Sequence, residues 1–142
     1  MSVRAIRTIL LAIWFVAFGL SLGIVIFLGM DGRIGQDNYH SALTQLNSSY
    51  VPYLGVIIAF YFASNALEKD VKHSNVAAAL ALIASLIWNV VVLSLFVPLL
   101  YGHGTIEQST RETEFVCGLI SWLVAPAIGF YFAKSPVAKA SG

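Results

Sequence analysis

Four polar side chains interrupt apolar stretches of this sequence, where few other groups could do chemistry. Asn89 lies near the middle of a long apolar run, and Ser85 lies one helical turn before it on the same face. Ser21 and Ser121 fall at depths in two other apolar runs where they could meet this pair. An unsatisfied amide in hydrocarbon costs several kcal/mol, so Asn89 must face other helices or line a wet path. The pattern predicts either an interhelical hydrogen bond or a polar constriction in a pore.

Histidines and carboxylates, which are the usual catalytic groups, lie outside the apolar runs. His40, His73 and His103 all fall in the links, and Cys117 is the single cysteine, so no internal disulfide can form. The sequence contains no metal-ligand spacing, phosphate-binding loop or nucleophile motif. We therefore predict a protein that is not an enzyme and that holds no cofactor and no metal.

The apolar runs themselves cover most of the chain. Four runs, at residues 8–30, 50–67, 75–100 and 115–133, contain no Asp, Glu, Lys, Arg or His. Hydrophobic residues make up 58% of the 142 residues and charged residues 11%, against about 25% charged in soluble domains. Roughly 20 apolar residues form a helix that crosses a bilayer and satisfies its own backbone. The sequence predicts a single-domain, all-α membrane protein, a bundle of four transmembrane helices.

The charges predict an orientation and bound the partners. Six of the eight basic residues lie on one side of the runs: Arg4, Arg7, Lys69, Lys72, Lys134 and Lys139. The positive-inside rule assigns that side to the cytoplasm. We expect a multi-pass protein of a cell membrane, the bacterial inner membrane, with both ends and the short tail 134–142 in the cytoplasm. A net charge of +1 attracts no nucleic acid, so the expected partners are lipid and either the chain itself or another membrane protein.

The links between the runs differ in length. Residues 31–49 form the longest link, within which 38–46 is either a short helix on the membrane surface or part of a solvated loop. Residues 101–114 are predicted to form a short polar outer loop. The link 68–74 is tight, so the second and third spans are expected to be antiparallel neighbours.

A repeated ending suggests an internal duplication. The second run ends in Phe60-Tyr61-Phe62 and the fourth in Phe130-Tyr131-Phe132, with Gly55 matching Ala125 upstream in the same register. The first and third runs agree more weakly. The pattern predicts two tandem parallel helical hairpins related by an axis along the membrane normal; chance similarity between apolar segments is the alternative. The triplets are expected in the cytoplasmic headgroup zone, and an outer aromatic belt is expected from Tyr50, Tyr53 and Tyr101.

Small residues recur at every fourth position on several runs. Helices in lipid associate where small residues let their backbones approach. The residues concerned are Gly19, Gly23, Gly55, Ala59, Ala63, Ala125, Gly129 and Ala133. These ridges either pack the four helices within one chain or join separate copies.

A chain of spans without a soluble domain must act within or at the membrane. The first hypothesis is a protein that self-associates through these helix faces, with several copies enclosing a pore or channel. The alternative is an accessory or scaffold subunit of a larger membrane complex. A carrier for a neutral small solute is a third, weaker reading.

Overall fold

The computed structural model describes residues 3–66 and 75–133, which form four α-helices. The helices are α1 (Val3–Met30), α2 (Gln36–Ala66), α3 (Asn75–Leu100) and α4 (Ile106–Ala133). The predicted all-helical fold with four helices is confirmed. The predictions made for the link 68–74 and for the tail 134–142 lie outside the described residues.

Three of the helices are long and apolar enough to cross a membrane. The stretches concerned are Arg4–Met30, Val76–Leu100 and Ile106–Gly129. α2 is not among them, because residues 36–49 are largely polar and its apolar part begins only at Tyr50. The three helices also expose large apolar side chains, including Met30 at 85% and Trp122 at 72%. A surface of this kind is normally covered by a membrane or a partner.

Two segments predicted to lie in the links between spans, one as a loop and one as either a loop or a short surface helix, belong to longer helices. Residues 38–46 belong to the continuous helix α2, so they form neither a solvated loop nor a separate surface helix. Residues 106–114 form the first part of α4. The physical reason is amphipathic periodicity: Ala42 and Leu46 of α2 enter the core while their polar neighbours remain exposed.

Each hairpin turn is short and ends the preceding helix in the same way. The turns are residues 31–35 and 101–105. Gly32 and Gly102 adopt left-handed φ angles of 71° and 76°. In each turn the next residue, Arg33 or His103, donates its N–H to a carbonyl five positions earlier at 3.1 Å. This is the Schellman arrangement, in which glycine avoids the clash that a Cβ atom would meet.

Helices of the same direction lie side by side. α1 contacts α2 and α3, and α4 contacts α2 and α3. Among the described residues, no Cα atom of α1 comes within 8 Å of one of α4, and none of α2 within 8 Å of one of α3, so these pairs meet only through long side chains. The helices therefore occupy the corners of a square in the order α1, α2, α4, α3.

This order corrects two expectations. The second and third spans are not neighbours but lie diagonally opposite each other. A link of residues 67–74 can reach roughly 26 Å, farther than the roughly 14 Å diagonal of a square of helices about 10 Å apart, so a short link does not force contact. A two-fold axis along the bundle would place α1 diagonally opposite α3, and these helices are neighbours instead.

We predict that Gly102→Ala lowers the free energy of unfolding by about 1–2 kcal/mol, because an L side chain is strained in the left-handed region. The measurement is equilibrium unfolding in mixed detergent micelles. Gly118→Ala is the matched control, since a Cβ at either glycine meets nothing within 4 Å and only Gly102 has a positive φ. Equal effects of the two substitutions would contradict the assignment of the turn.

Candidate functional site

The middle of the bundle is filled by an aromatic cluster. Trp14 of α1 stacks on Trp88 of α3 with ring centroids 6.1 Å apart and planes inclined by 30°. Tyr53 of α2 lies 5.0 Å from each of these rings. Tyr50 meets Trp14 edge-on at 5.9 Å. The rings join α1, α2 and α3, and Trp14, Trp88 and Tyr50 are almost completely buried at this level of the bundle.

Polar groups surround this aromatic cluster, and several lack partners. Asn89 Nδ2 donates to the Ser85 carbonyl at 2.7 Å, a bond within α3. Ser21 Oγ lies 3.4 Å from the Tyr50 hydroxyl and joins α1 to α2. Within the described residues, Asn89 Oδ1, Ser85 Oγ and both indole Nε1 atoms of the cluster are buried without a hydrogen-bond partner. The centre of the described bundle therefore offers unused donors and acceptors.

The four polar residues singled out from the sequence do not form one site. Ser85 and Asn89 lie together on α3, whereas Ser21 pairs with Tyr50. Ser121 donates to the Gly118 carbonyl of its own helix at 3.1 Å and has Tyr53 nearby. The described structure shows no interhelical hydrogen bond of the Asn89 amide. Asn89 instead lines an otherwise apolar groove of about 370 Å³ between α1 and α3.

The aromatic residues predicted to lie at the membrane surface divide into two groups. Phe62 is exposed, and Phe60 and Tyr61 are half-buried, as surface anchors can be. Tyr131 is fully buried, however, and its hydroxyl interacts with Arg7 of α1. Tyr50 is likewise fully buried rather than part of an outer belt. Each ring sits where its hydroxyl finds a polar partner inside the chain, which favours burial. The side chains of Phe130 and Phe132 lie outside the description.

The small residues of these ridges whose side chains are described do not pack the helices of one chain together. Gly19 and Gly23 of α1 and Gly55 of α2 are exposed, and a Cβ at any of them would meet nothing within 4 Å. The same open space surrounds Gly129, which is half-buried. Ala59 and Ala125 are exposed, while the side chains of Ala63 and Ala133 lie outside the description. The exposed members of the set, Gly19, Gly23, Gly55, Ala59 and Ala125, lie on the outer surface of the bundle, so their use within the chain is not supported.

One exposed surface, which we call the α2/α4 stripe, runs along the two neighbouring helices α2 and α4. Its members follow at intervals of three and four, which keeps them on one helical face. Nearest the turns the stripe is polar, with Asp37, Ser41, Thr44 and Ser48 on α2 and Glu107, Arg111 and Glu114 on α4. Farther from the turns it consists of Pro52, Gly55 and Ala59 on α2 and Gly118, Trp122, Ala125 and Gly129 on α4.

The charges of the stripe are unevenly balanced. It carries three carboxylates, Asp37, Glu107 and Glu114, and one cation, Arg111. Arg111 Nη2 lies 3.0 Å from Glu107 Oε1 in an exposed pair. The other two carboxylates leave the polar half of the stripe with a negative excess.

The opposite side of the bundle is apolar over the same distance from the turns. On α1 the exposed residues from Gly19 to Met30 are glycine or large apolar side chains, such as Ile26 and Phe27. α3 exposes Val90 and Val97 at the corresponding level. The two sides of one bundle therefore require different surroundings at the same height.

The stripe was not recognised in the sequence, although its spacing is visible there. Its polar half coincides with the segments 36–49 and 106–114, which were assigned to links because they lack an apolar run. Its other half contains Gly55, Ala59, Ala125 and Gly129, whose spacing in the sequence predicts packing ridges. The aromatic cluster was also missed, although Ile13-Trp14 and Ile87-Trp88 are similar.

No protein-family model matches this chain, and comparisons with curated proteins and with solved structures find no match.

We predict that Asn89→Leu raises the free energy of unfolding by about 1 kcal/mol, because it removes a buried acceptor that has no partner. Ser85→Ala, which deletes the unpartnered hydroxyl on the same face, should act in the same direction. Equilibrium unfolding in mixed micelles measures both. A clear destabilisation by Asn89→Leu would instead indicate a bound water or ligand at Oδ1.

Proposed function

We propose that this chain is a non-enzymatic integral membrane protein whose copies associate with their α2/α4 stripes around a water-filled pore. The observation that carries the proposal is the position of the polar half of the stripe. It lies level with bare apolar surface on α1 and α3, so one side of the bundle favours water where the other favours lipid.

In this proposal all four helices cross the bilayer and both termini are cytoplasmic. The apolar part of α2 from Tyr50 to Ala66 is about 26 Å long at 1.5 Å per residue. That length is near the roughly 30 Å of a hydrocarbon core. The excess of basic residues at the ends of the chain and in the inner link supports the orientation.

A lone bundle fits a bilayer poorly. If lipid covers α1 and α3 up to Met30, it also covers Asp37, Glu107 and Glu114. Ionised groups facing hydrocarbon cost several kcal/mol each. If the hydrocarbon instead ends farther from the turns, below the carboxylates, large apolar side chains of α1 and α3 are exposed to water. Several copies that turn their stripes towards a shared lumen satisfy both sides at once.

The conducting path is proposed to run between copies. Trp14, Trp88, Tyr50 and Phe96 are essentially inaccessible and fill the interior of each bundle. The polar half of the stripe would form an outer vestibule, and its carboxylates would favour cations. The small residues beyond it leave room for a narrow apolar section, next to the exposed ring of Trp122.

We predict that Ala59→Leu and Ala125→Leu each lower single-channel conductance in planar bilayers at least severalfold, because the larger side chains narrow the lumen. Ala79→Leu is the matched control, since Ala79 is exposed on α3 outside the stripe. Equal losses in all three variants, or none in any, would contradict a lumen at α2 and α4. A protein that stays monomeric and co-purifies with a larger membrane complex would favour the accessory role.

We also predict that Asp37→Asn combined with Glu114→Gln reduces the preference for K⁺ over Cl⁻, because it removes the excess negative charge from the vestibule. Reversal potentials in a salt gradient measure the ratio. Glu112→Gln, in the same segment but off the stripe, should have a smaller effect. An unchanged ratio in the double variant would argue against this vestibule.

A further inference from the structure

The two hairpins match at two different sequence offsets. The turns and the α2/α4 stripe correspond at an offset of 70 residues, as Gly32 and Gly102 do. The buried faces correspond at an offset of 71. The pairs Leu10 and Ala81, Ser21 and Val92, Val25 and Phe96, Leu28 and Leu99, and Leu46 and Cys117 are all buried.

The difference of one residue between the two offsets indicates how the hairpins are related in space. One residue is a rotation of 100° around a helix axis. Suppose that the α3/α4 hairpin is related to the α1/α2 hairpin by a sideways displacement without rotation. Each hairpin then has the other on the opposite side. The direction from the helix axis to the core therefore differs by about 90° between α1 and α3, and between α2 and α4. A two-fold rotation would instead leave equivalent residues buried. The offset, together with the contact of α1 with α3, therefore indicates a sideways displacement.

A sideways displacement, unlike a two-fold rotation, can be repeated any number of times. The exposed face of the α3/α4 hairpin is the counterpart of the face by which the α1/α2 hairpin contacts it. We propose that a second copy of this chain docks there by the same displacement, placing its α1/α2 face on the α3/α4 face of the first. This rests on the proposed self-association and specifies its geometry.

The shapes of the two outer faces support this occupant. Leu80, Ile83 and Ile87 of α3 are all exposed and form a ridge. They are the 70-residue counterparts of Leu10, Ile13 and Ala17 of α1. On the outer side of α1, Gly19 and Gly23 leave open space where their counterparts on α3 are Asn89 and Leu93. A ridge of branched side chains can therefore approach the α1 backbone closely.

A polar contact between the turns has a free counterpart. Arg33 of the first turn donates from Nη1 to the Leu100 carbonyl at the end of α3, at 3.2 Å. The same displacement applied once more gives the corresponding pair between copies. The counterpart of Arg33 is His103, 70 residues later, and the counterpart of Leu100 is Met30 of the next copy, 70 residues earlier. Both residues are exposed, and an imidazole N–H can donate to a carbonyl. In the proposed contact, His103 of one copy meets Met30 of the next.

Such a contact joins different faces of the two copies. Head-to-tail interfaces form closed rings when the rotation closes, and filaments otherwise. Repeated sideways displacement keeps α2 and α4 of every copy on one side. A slight rotation at each step then encloses the stripes, as the proposed pore requires.

Cysteine cross-linking in the native membrane tests this geometry. In a Cys117→Ala background, Ile26→Cys and Ser94→Cys are introduced together. Both positions are exposed, and their counterparts within the chain, Phe96 and Ile24, are buried between the hairpins. Oxidation should give a ladder of covalent trimers and larger species from the double variant, and monomers only from each single variant. His103→Ala should reduce the yield of the ladder.

Phe27→Cys with Ser94→Cys is the matched control, because Phe27 is exposed one residue further around α1. An equal ladder from this pair would show that the cross-links arise from random collision and would contradict the proposed contact. Dimers from either single variant would indicate a two-fold interface and overturn the proposal. Native mass spectrometry separates the failures: an oligomer without the ladder rejects only this geometry, whereas a monomer rejects self-association as well.

Discussion

Polar side chains and hydrocarbon cannot share a surface, and this constraint applies to the half of the molecule nearest the two turns. Asp37 and Glu107 are each the second residue of their helix after a turn, and Glu114 is the ninth residue of α4. They therefore lie alongside the last nine residues of α1, where Gly23, Phe27 and Met30 are exposed. Within one bundle no height in a bilayer suits both groups. A transfer cost of several kcal/mol per charge exceeds what mismatch, tilt or local thinning usually costs. In the proposed assembly the surroundings of α2 and α4 differ from those of α1 and α3, because contact between copies shields the polar surface from lipid.

The sideways displacement between the hairpins explains why the polar and apolar surfaces lie on opposite sides of the bundle. Because α1 lies beside α3, and α2 beside α4, like surfaces are neighbours. The polar ends of α2 and α4 thus merge into one stripe, and the apolar lengths of α1 and α3 merge on the other side. A two-fold arrangement would have put polar and apolar helices at alternating corners and divided the stripe. Both hairpins end α1 and α3 with a left-handed glycine, Gly32 or Gly102, and Arg33 of the first turn donates to the Leu100 carbonyl at the end of α3, so the two turns lie level.

The sequence predicts correctly the helices that are marked by apolar composition. It is misleading for the helical segments that are marked only by the periodicity of their buried residues. Uninterrupted apolar runs predict the helices because few other structures satisfy a backbone in lipid. The segments 36–49 and 106–114 lack such runs, so they were assigned to links, although Ala42, Leu46 and Thr113 mark a buried helical face. The neighbours of each helix were not predictable, since a link near residues 67–74 can span a diagonal as well as an edge. Tyr50 and Tyr131 were assigned to the surface, because their buried partners, Ser21 and Arg7, lie on another helix.

The distribution of small residues follows from the same geometry. Inside the chain the helices are held by large rings, with Trp14 and Trp88 filling the contact between α1 and α3. The contact between α1 and α3 needs no glycine; Gly29 leaves room for the Tyr39 ring nearer the first turn, whereas Gly19, Gly23 and Gly55 lie outside with open space around them. Exposed glycine in a helix lowers its stability by roughly 0.5–1 kcal/mol relative to alanine, and lipid provides no compensation for that loss. A compensating gain arises where another backbone approaches, on the outer face of α1, or where a lumen needs width, along α2 and α4. Lipid alone explains neither the glycines nor the carboxylates, whereas a ring of side-by-side hairpins accounts for both.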